Sequence, residues 1–201
     1  MKKMESTLTN MIVVLVGVAL MTGCLLAVVN HITEGPKAAQ KTLALAEGIR
    51  TVMGNSDVTV SKTDTVCMTV NGKPTELIVH RVAGGGAAVE SQTMGFGGDL
   101  RVLVGFADDG TITGYTVLQH AETPGLGAKA ATWFQKDGKG NIIGKKAVKP
   151  LAVSKDGGEV DAITASTITS RAFLKAVNQA YAAYMQQSAD AYTGATKIKK
   201  G

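Results

Sequence analysis

Between Asp161 and Ser170 the chain reads Asp-Ala-Ile-Thr-Ala-Ser-Thr-Ile-Thr-Ser, with hydroxyl side chains at Thr164, Ser166, Thr167 and Thr169 inside six positions. Hydroxyls so concentrated can cap a helix, accept a phosphoryl group or donate to a phosphate. The apolar spacing that follows (Phe173, Ala176, Val177, Ala180, Tyr181, Tyr184) predicts an amphipathic helix over 168–184. Thr167 then stands near the start of that helix, where unpaired N–H groups and the positive dipole end favour an anion. Two readings follow: ordinary N-cap chemistry, or a phosphate held at the helix terminus.

A second stretch, His120-Ala-Glu-Thr-Pro-Gly-Leu-Gly-Ala-Lys129, gathers polar groups around a tight turn. Pro124-Gly125 makes the turn, and Gly127 permits close backbone approach. Glu122, Thr123 and Lys129 supply the polar groups at a strand end. Taken alone, this is also an ordinary connector into the short helical run Ala130-Ala-Thr-Trp-Phe134. An echo of the hydroxyl motif, Asp190-Ala-Tyr-Thr-Gly-Ala-Thr196, lies near the C-terminus. The Lys197-Ile-Lys-Lys-Gly201 that follows offers no helix to receive a phosphate, which favours Thr167 over Thr196.

The elements that position these stretches are β-rich. From Val58 to Phe106 short alternating runs are punctuated by Gly, Asn, Asp and Pro, and Thr75–Val82 and Leu100–Phe106 read as strands. Asp108-Asp109-Gly110 forms a hairpin turn, pairing the second of these antiparallel with Thr111–Leu118. Gly84-Gly85-Gly86 and Gly95-Phe96-Gly97-Gly98 lack the spacing of a dinucleotide fingerprint or a phosphate-binding loop. Residues 136–155 read as a basic, turn-rich surface excursion, and Cys67 as a small core residue. Upstream, Gly35-Pro36 predicts a break that opens a new helix over 37–53, ended by Gly54-Asn55.

Met11–Val29 carries no charge and is long enough to cross a bilayer as a helix. Lys2 and Lys3 precede it, so the positive-inside tendency places the N-terminus in the cytoplasm and residues after Asn30 outside it. A cleaved leader is the rival, since Met21-Thr-Gly-Cys24 is similar to a lipoprotein processing site with Cys24 as lipid acceptor. The apolar run continues through Leu25-Leu-Ala-Val-Val29, which favours an uncleaved anchor. The net charge of +5 is dispersed and aromatics are only 4%, which argues against nucleic acid as a partner. His31, His80 and His120 are scattered, and no Cys/His spacing suggests a metal or a nucleophilic triad.

The pattern Asp161-x-x-Thr-Ala-Ser-Thr167-x-Thr-Ser170 resembles the flavin-attachment motif of the FMN-binding-domain family, which usually has Gly-Ala where this chain has Ala165-Ser166. Glu122-Thr-Pro-Gly-Leu-Gly127 is similar to the family's second hallmark, and Gly95-Phe-Gly-Gly98 to its glycine-rich start of a hairpin. The family includes the G subunit of the Rnf electron-transport complex and the C subunit of the sodium-translocating NADH:quinone reductase. The resemblance implies a covalent FMN on Thr167 through a phosphoester, installed from FAD by a magnesium-dependent flavin transferase. Asp161, Thr164 and Ser166, with Glu122, Thr123, Pro124, Gly125, Leu126, Gly127 and Lys129, would border the cofactor.

It further implies an α+β fold in which a single transmembrane helix precedes an extracytoplasmic FMN-binding domain of antiparallel sheet and packed helices. The expected segments are a cytoplasmic N-terminus (1–10), the membrane helix (11–30), a helical stalk or start of the soluble domain (31–57), the FMN-binding domain (58–188) and a tail (189–201). The expected role is an electron relay in an Rnf-type ferredoxin:NAD oxidoreductase of the bacterial inner membrane, a translocase subunit and not a stand-alone enzyme. Its partners would be membrane and peripheral subunits that carry other flavins and iron–sulfur clusters. The alternatives are the quinone-reductase C subunit, an anchored or lipoprotein binding module without redox chemistry, and a purely structural subunit.

Overall fold

The computed structural model describes residues 8–55, 58–70 and 73–193. The chain divides into two compact units, Met1–Ala44 and Leu45–Gly201. In the first, the stretch Leu8–Gly35 of helix α1 (Leu8–Met53) is long and apolar enough to cross a membrane. Two of its hydroxyls turn back on the helix: Thr22 donates to the Val18 carbonyl at 2.9 Å and Thr33 to that of Val29 at 2.8 Å. Neither hydroxyl then needs a donor or acceptor from its surroundings, which suits a lipid environment.

The break expected at Gly35-Pro36 is not found, because α1 continues through both residues to Met53. Proline removes one backbone donor and crowds one carbonyl, and helical turns on either side can carry that loss. Gly54, in the left-handed region at φ 67°, ends the helix where the sequence places its end.

The second unit is built on a five-stranded antiparallel meander in sequence order. Its strands are β1 (Val60–Val70), β2 (Lys73–Val82), β3 (Ala87–Met94), β4 (Asp99–Phe106) and β5 (Ile112–Gln119). The Asp108-Asp109-Gly110 turn joins β4 to β5 as expected, with Gly110 N–H donating to the Ala107 carbonyl at 2.9 Å. Asp109 accepts from the Thr111 hydroxyl and the Lys146 ammonium, both at 2.8 Å. These bonds hold its carboxyl well below the usual carboxylate range.

Strand alternation gives the sheet two covered faces. On one, Val79, Val89, Leu100, Val102, Val104 and Phe106 meet α3 (Thr167–Thr193) through Phe173, Ala176, Val177, Ala180, Tyr181 and Tyr184. The short helix α2 (Ala130–Trp133) precedes Phe134, which stacks on Phe173 with ring centroids 4.2 Å apart; Tyr184 stacks on Phe106 at 5.1 Å. Burial of each such side chain is worth about 1.5–3 kcal/mol. On the other face, Ile49 and Val52 at the end of α1 pack on Ala88 and Leu103. Gly105 and Gly114 oppose each other there, and a Cβ on either would collide with the Val52 backbone.

Three expectations are corrected. Cys67 is exposed, because its neighbour Val66 takes the inward position of β1 and alternation turns Cys67 to solvent. The 136–155 excursion is turn-rich but not superficial: Ile142, Ala147 and Val153 are buried. Ile112 N–H also donates to the Lys145 carbonyl at 2.9 Å, stitching the segment to β5. Finally, α3 runs on to Thr193, past the helix end and into the tail expected from sequence.

Candidate functional site

Four segments meet at the N-terminus of α3: the Gly95–Gly98 turn after β3, the loop after β5, the 154–157 turn and the hydroxyl motif. The hydroxyls divide the work. Ser170, fully buried, accepts from Ile163 N–H at 2.9 Å and donates to the Ser166 carbonyl at 3.0 Å, tying the approach to the helix into a knot. Thr169, 1% exposed, donates to Glu122 Oε2 at 2.7 Å. Thr167, the first residue of α3, is half-buried. Its Oγ1 accepts from Lys155 Nζ at 3.5 Å.

Glu122 is the buried hub of the arrangement. Its second oxygen, Oε1, accepts from the N–H groups of Phe96 at 2.7 Å and Gly97 at 3.4 Å. A Cβ at Gly127 would run into both the Glu122 carboxylate and the Thr169 hydroxyl, so the turn Thr123-Pro-Gly-Leu126 can close only with glycine at its end. His120 Nδ1 accepts from Glu122 N–H at 3.3 Å, a strand-end role that holds the loop.

The Gly95–Gly98 turn, the loop after β5 and the hydroxyl motif line a cavity of about 380 Å³, within the range of small-molecule sites; the 154–157 turn lies outside its lining. Phe96, Leu126 and Ile168 give the cavity apolar walls and are themselves well exposed at its rim. Glu122, Thr123, Ser166, Thr167 and Thr169 give polar ones, and Gly127 and Ala165 complete the lining. Ala165 sits at φ 61°, the only non-glycine residue with positive φ among the described residues. That strained position turns the chain into the helix.

Of the residues expected from sequence, Glu122, Thr123, Leu126, Gly127, Ser166 and Thr167 line the cavity. Pro124 and Gly125 form the exposed turn behind it and, like Lys129, do not line it. Thr164 is exposed and outside the lining. Asp161 accepts from Ser154 Oγ at 3.3 Å, and its carbonyl accepts from Trp133 Nε1 at 2.8 Å; it braces the motif from outside. Thr196 lies outside the described residues.

Phe96, Ala165, Ile168, Thr169 and Lys155 join the site without having been expected there. A lysine twelve positions before the threonine carries no signal of its own. It reaches Thr167 because Asp156 beside it is clamped to α3 by Arg171, through bonds of 2.7 and 2.6 Å. The Arg171 guanidinium holds the Asp156 carboxyl below its ordinary value. Among the described residues no group of three or more His, Cys, Asp or Glu could hold a metal. His80 is a buried structural residue, 3.0 Å from Glu90, whose other oxygen meets Arg101.

The chain is similar to known proteins across most of its length. The family model of the FMN-binding domain matches residues 95–182, which span all three motifs. The G subunit of the Na(+)-translocating ferredoxin:NAD(+) oxidoreductase complex of Acetobacterium woodii is 30% identical over 191 residues, covering 85% of this chain and 88% of the relative. The G subunit of the ion-translocating oxidoreductase complex of Aliivibrio fischeri is 42% identical over 99 residues, about half the length of either chain (47%). Among solved structures, the C subunit of the Na(+)-translocating NADH-quinone reductase of Parabacteroides distasonis is 22% identical. The match covers 68% of this chain and 81% of that one at a TM-score of 0.46.

Proposed function

Because this chain belongs to the FMN-binding-domain family, among the G subunits of ion-translocating oxidoreductase complexes, we propose that it is a membrane-anchored electron relay whose FMN is joined to Thr167 by a phosphoester. The observation that carries the assignment is the half-buried Thr167 hydroxyl, set on the wall of the cavity at the first residue of α3. The residues fit the cofactor chemically. The helix terminus suits a phosphate, and the rim of Phe96, Leu126 and Ile168 suits an apolar ring. Bound there, FMN supplies the capacity to take up and release electrons.

The chain's own residues orient and shield. Thr167 supplies the oxygen of the link, and the N–H groups of the first helical turn face the phosphate position. Glu122 holds three of the four segments together from inside and is fully engaged in doing so. It therefore positions Thr123, Leu126 and Gly127 along the cavity wall. Asp161 braces the motif from outside; Pro124, Gly125 and Lys129 set the geometry of the loop.

In this reading residues 11–30 cross the bacterial inner membrane with 1–10 in the cytoplasm, 31–57 form the stalk and the start of the soluble domain, 58–188 hold the flavin on the outer side, and 189–201 are a tail. The partners are the other flavin and iron–sulfur subunits of an Rnf-type complex moving electrons between ferredoxin and NAD, and a flavin transferase for maturation. The test is peptide mass spectrometry and in-gel flavin fluorescence of wild type, Thr167→Ala and Thr196→Ala, each co-expressed with the transferase. Loss of the adduct in Thr167→Ala alone supports the assignment. An adduct on Thr196 would move the site, and none at all would remove the flavin link.

A further inference from the structure

Lys155 is placed by its turn beside the Thr167 hydroxyl, and not by an ion pair. Lys62, Arg81, Arg101, Lys146 and Arg171 each lie within ion-pair distance of a carboxylate. Among the described residues Lys155 has no such partner; its ammonium is instead 3.5 Å from the Thr167 hydroxyl oxygen. That placement is built in at several levels. The 154–157 turn is pinned by Ser154 N–H to the Val160 carbonyl at 2.8 Å, and Asp156 N–H donates to the Val153 carbonyl at 2.8 Å. The Arg171 fork then fixes Asp156 to the first turns of α3, the same helix that begins with Thr167. A two-pronged guanidinium–carboxylate bond is directional, so it sets where the neighbouring lysine can reach.

A cation left unneutralised beside a hydroxyl has little to do for a plain helix cap, since the positive end of the helix dipole disfavours it. Beside an oxygen that acquires a phosphoryl group it becomes the matching charge. We infer that Lys155 is the counter-charge of the phosphoryl group at Thr167 and promotes its attachment. The inference rests on the reading that Thr167 carries the flavin phosphate.

In the attachment step Thr167 Oγ1 forms a bond to the phosphorus on the flavin side of a flavin dinucleotide. The bond from that phosphorus to the bridging oxygen breaks, the nucleoside monophosphate leaves, and the hydroxyl proton passes to solvent. No electrons change hands. The negative charge carried by the phosphoryl oxygens in transfer, and retained singly by the diester product, is what an ammonium within reach of Oγ1 stabilises. Arg171 is already matched in charge by Asp156, to which it gives two bonds.

The experiment uses the full chain in detergent, with purified flavin transferase, FAD and magnesium, and follows the Thr167 adduct by intact mass against time. Wild type is compared with Lys155→Ala, Lys155→Glu and Lys155→Arg, with thermal unfolding of each as the control for fold. The expected result is a rate about tenfold lower in Lys155→Ala, as for loss of one charged hydrogen bond. Lys155→Glu should be slower still, Lys155→Arg should keep most of the rate, and all should melt alike. Wild-type rates in Lys155→Ala, or equal slowing in Lys155→Ala and Lys155→Arg, would overturn the inference and leave the relay reading intact. Absence of the adduct from wild-type Thr167 would overturn both.

Discussion

Glu122 Oε2 accepts a hydrogen bond from the Thr169 hydroxyl at 2.7 Å, across 47 residues of sequence and with both groups buried. The same carboxylate takes the Phe96 and Gly97 N–H groups on its other oxygen. One side chain thereby ties two of the family's motifs to the third. Carboxylate is the right chemistry, since every partner is a donor. Glu122→Gln places an amide N–H₂ against one of those donors and should cost about 1–3 kcal/mol. Chemical denaturation followed by the fluorescence of Trp133, the chain's single tryptophan, would measure it, and an unchanged midpoint would contradict the hub role.

Gly127→Ala should act through the same bond. The added methyl meets the Glu122 carboxylate and the Thr169 hydroxyl, so one of the two must move. Overpacking of this kind costs about 1–3 kcal/mol. Gly127→Ala combined with Thr169→Val should lose less stability than the two single changes summed, because they disrupt one contact; a double-mutant cycle reads this directly.

Ala165 should be improvable. At φ 61° an L-residue carries a cost of about 1–2 kcal/mol that glycine escapes, partly offset by glycine's greater freedom in the unfolded chain. Ala165→Gly should therefore raise stability by up to about 1 kcal/mol, with the flavin adduct retained. Ala165→Val should lower it. A higher denaturation midpoint in the valine variant would refute the strain argument.

The Asp156–Arg171 pair gives a pH dependence of known sign. Asp156 is depressed from its ordinary value of 3.8 by the hydrogen bonds and charge of Arg171. A depressed carboxyl contributes stability that is fully present above the unfolded value and disappears as pH falls through the still lower folded one. The stability difference between wild type and Asp156→Asn should hold at neutral pH and close below about pH 4. A difference that persists into stronger acid would mean that the asparagine variant loses packing and not charge.

How much of this could be read from residues alone depended on the range of the interaction. The 3.6-residue periodicity of α3 named its buried face correctly, because that face meets one continuous sheet. The Asp-Asp-Gly turn identified the β4–β5 hairpin for a local reason, turn chemistry. Residue type misled at Cys67: alternation places it with Ser61, Thr63 and Thr65 on the polar side of β1, opposite the inward Val66 and Met68. Proline misled at Pro36, where a local penalty was outweighed by the turns around it. At the site, Thr167 and the Glu122–Gly127 loop were legible as motifs. Lys155 was not, because its reach is set by a bidentate clamp between Asp156 and Arg171, fifteen positions apart.

The meander has a consequence in time. Each strand bonds only to its neighbours in sequence, so the sheet is assembled from short closures that cost little chain entropy. The cavity is held by contacts spanning 26 and 47 residues, which reward the chain only after both ends are in place. Its closure therefore follows the pairing of the hairpins. A transferase that reads geometry at Thr167 would modify finished chains and pass over unfinished ones.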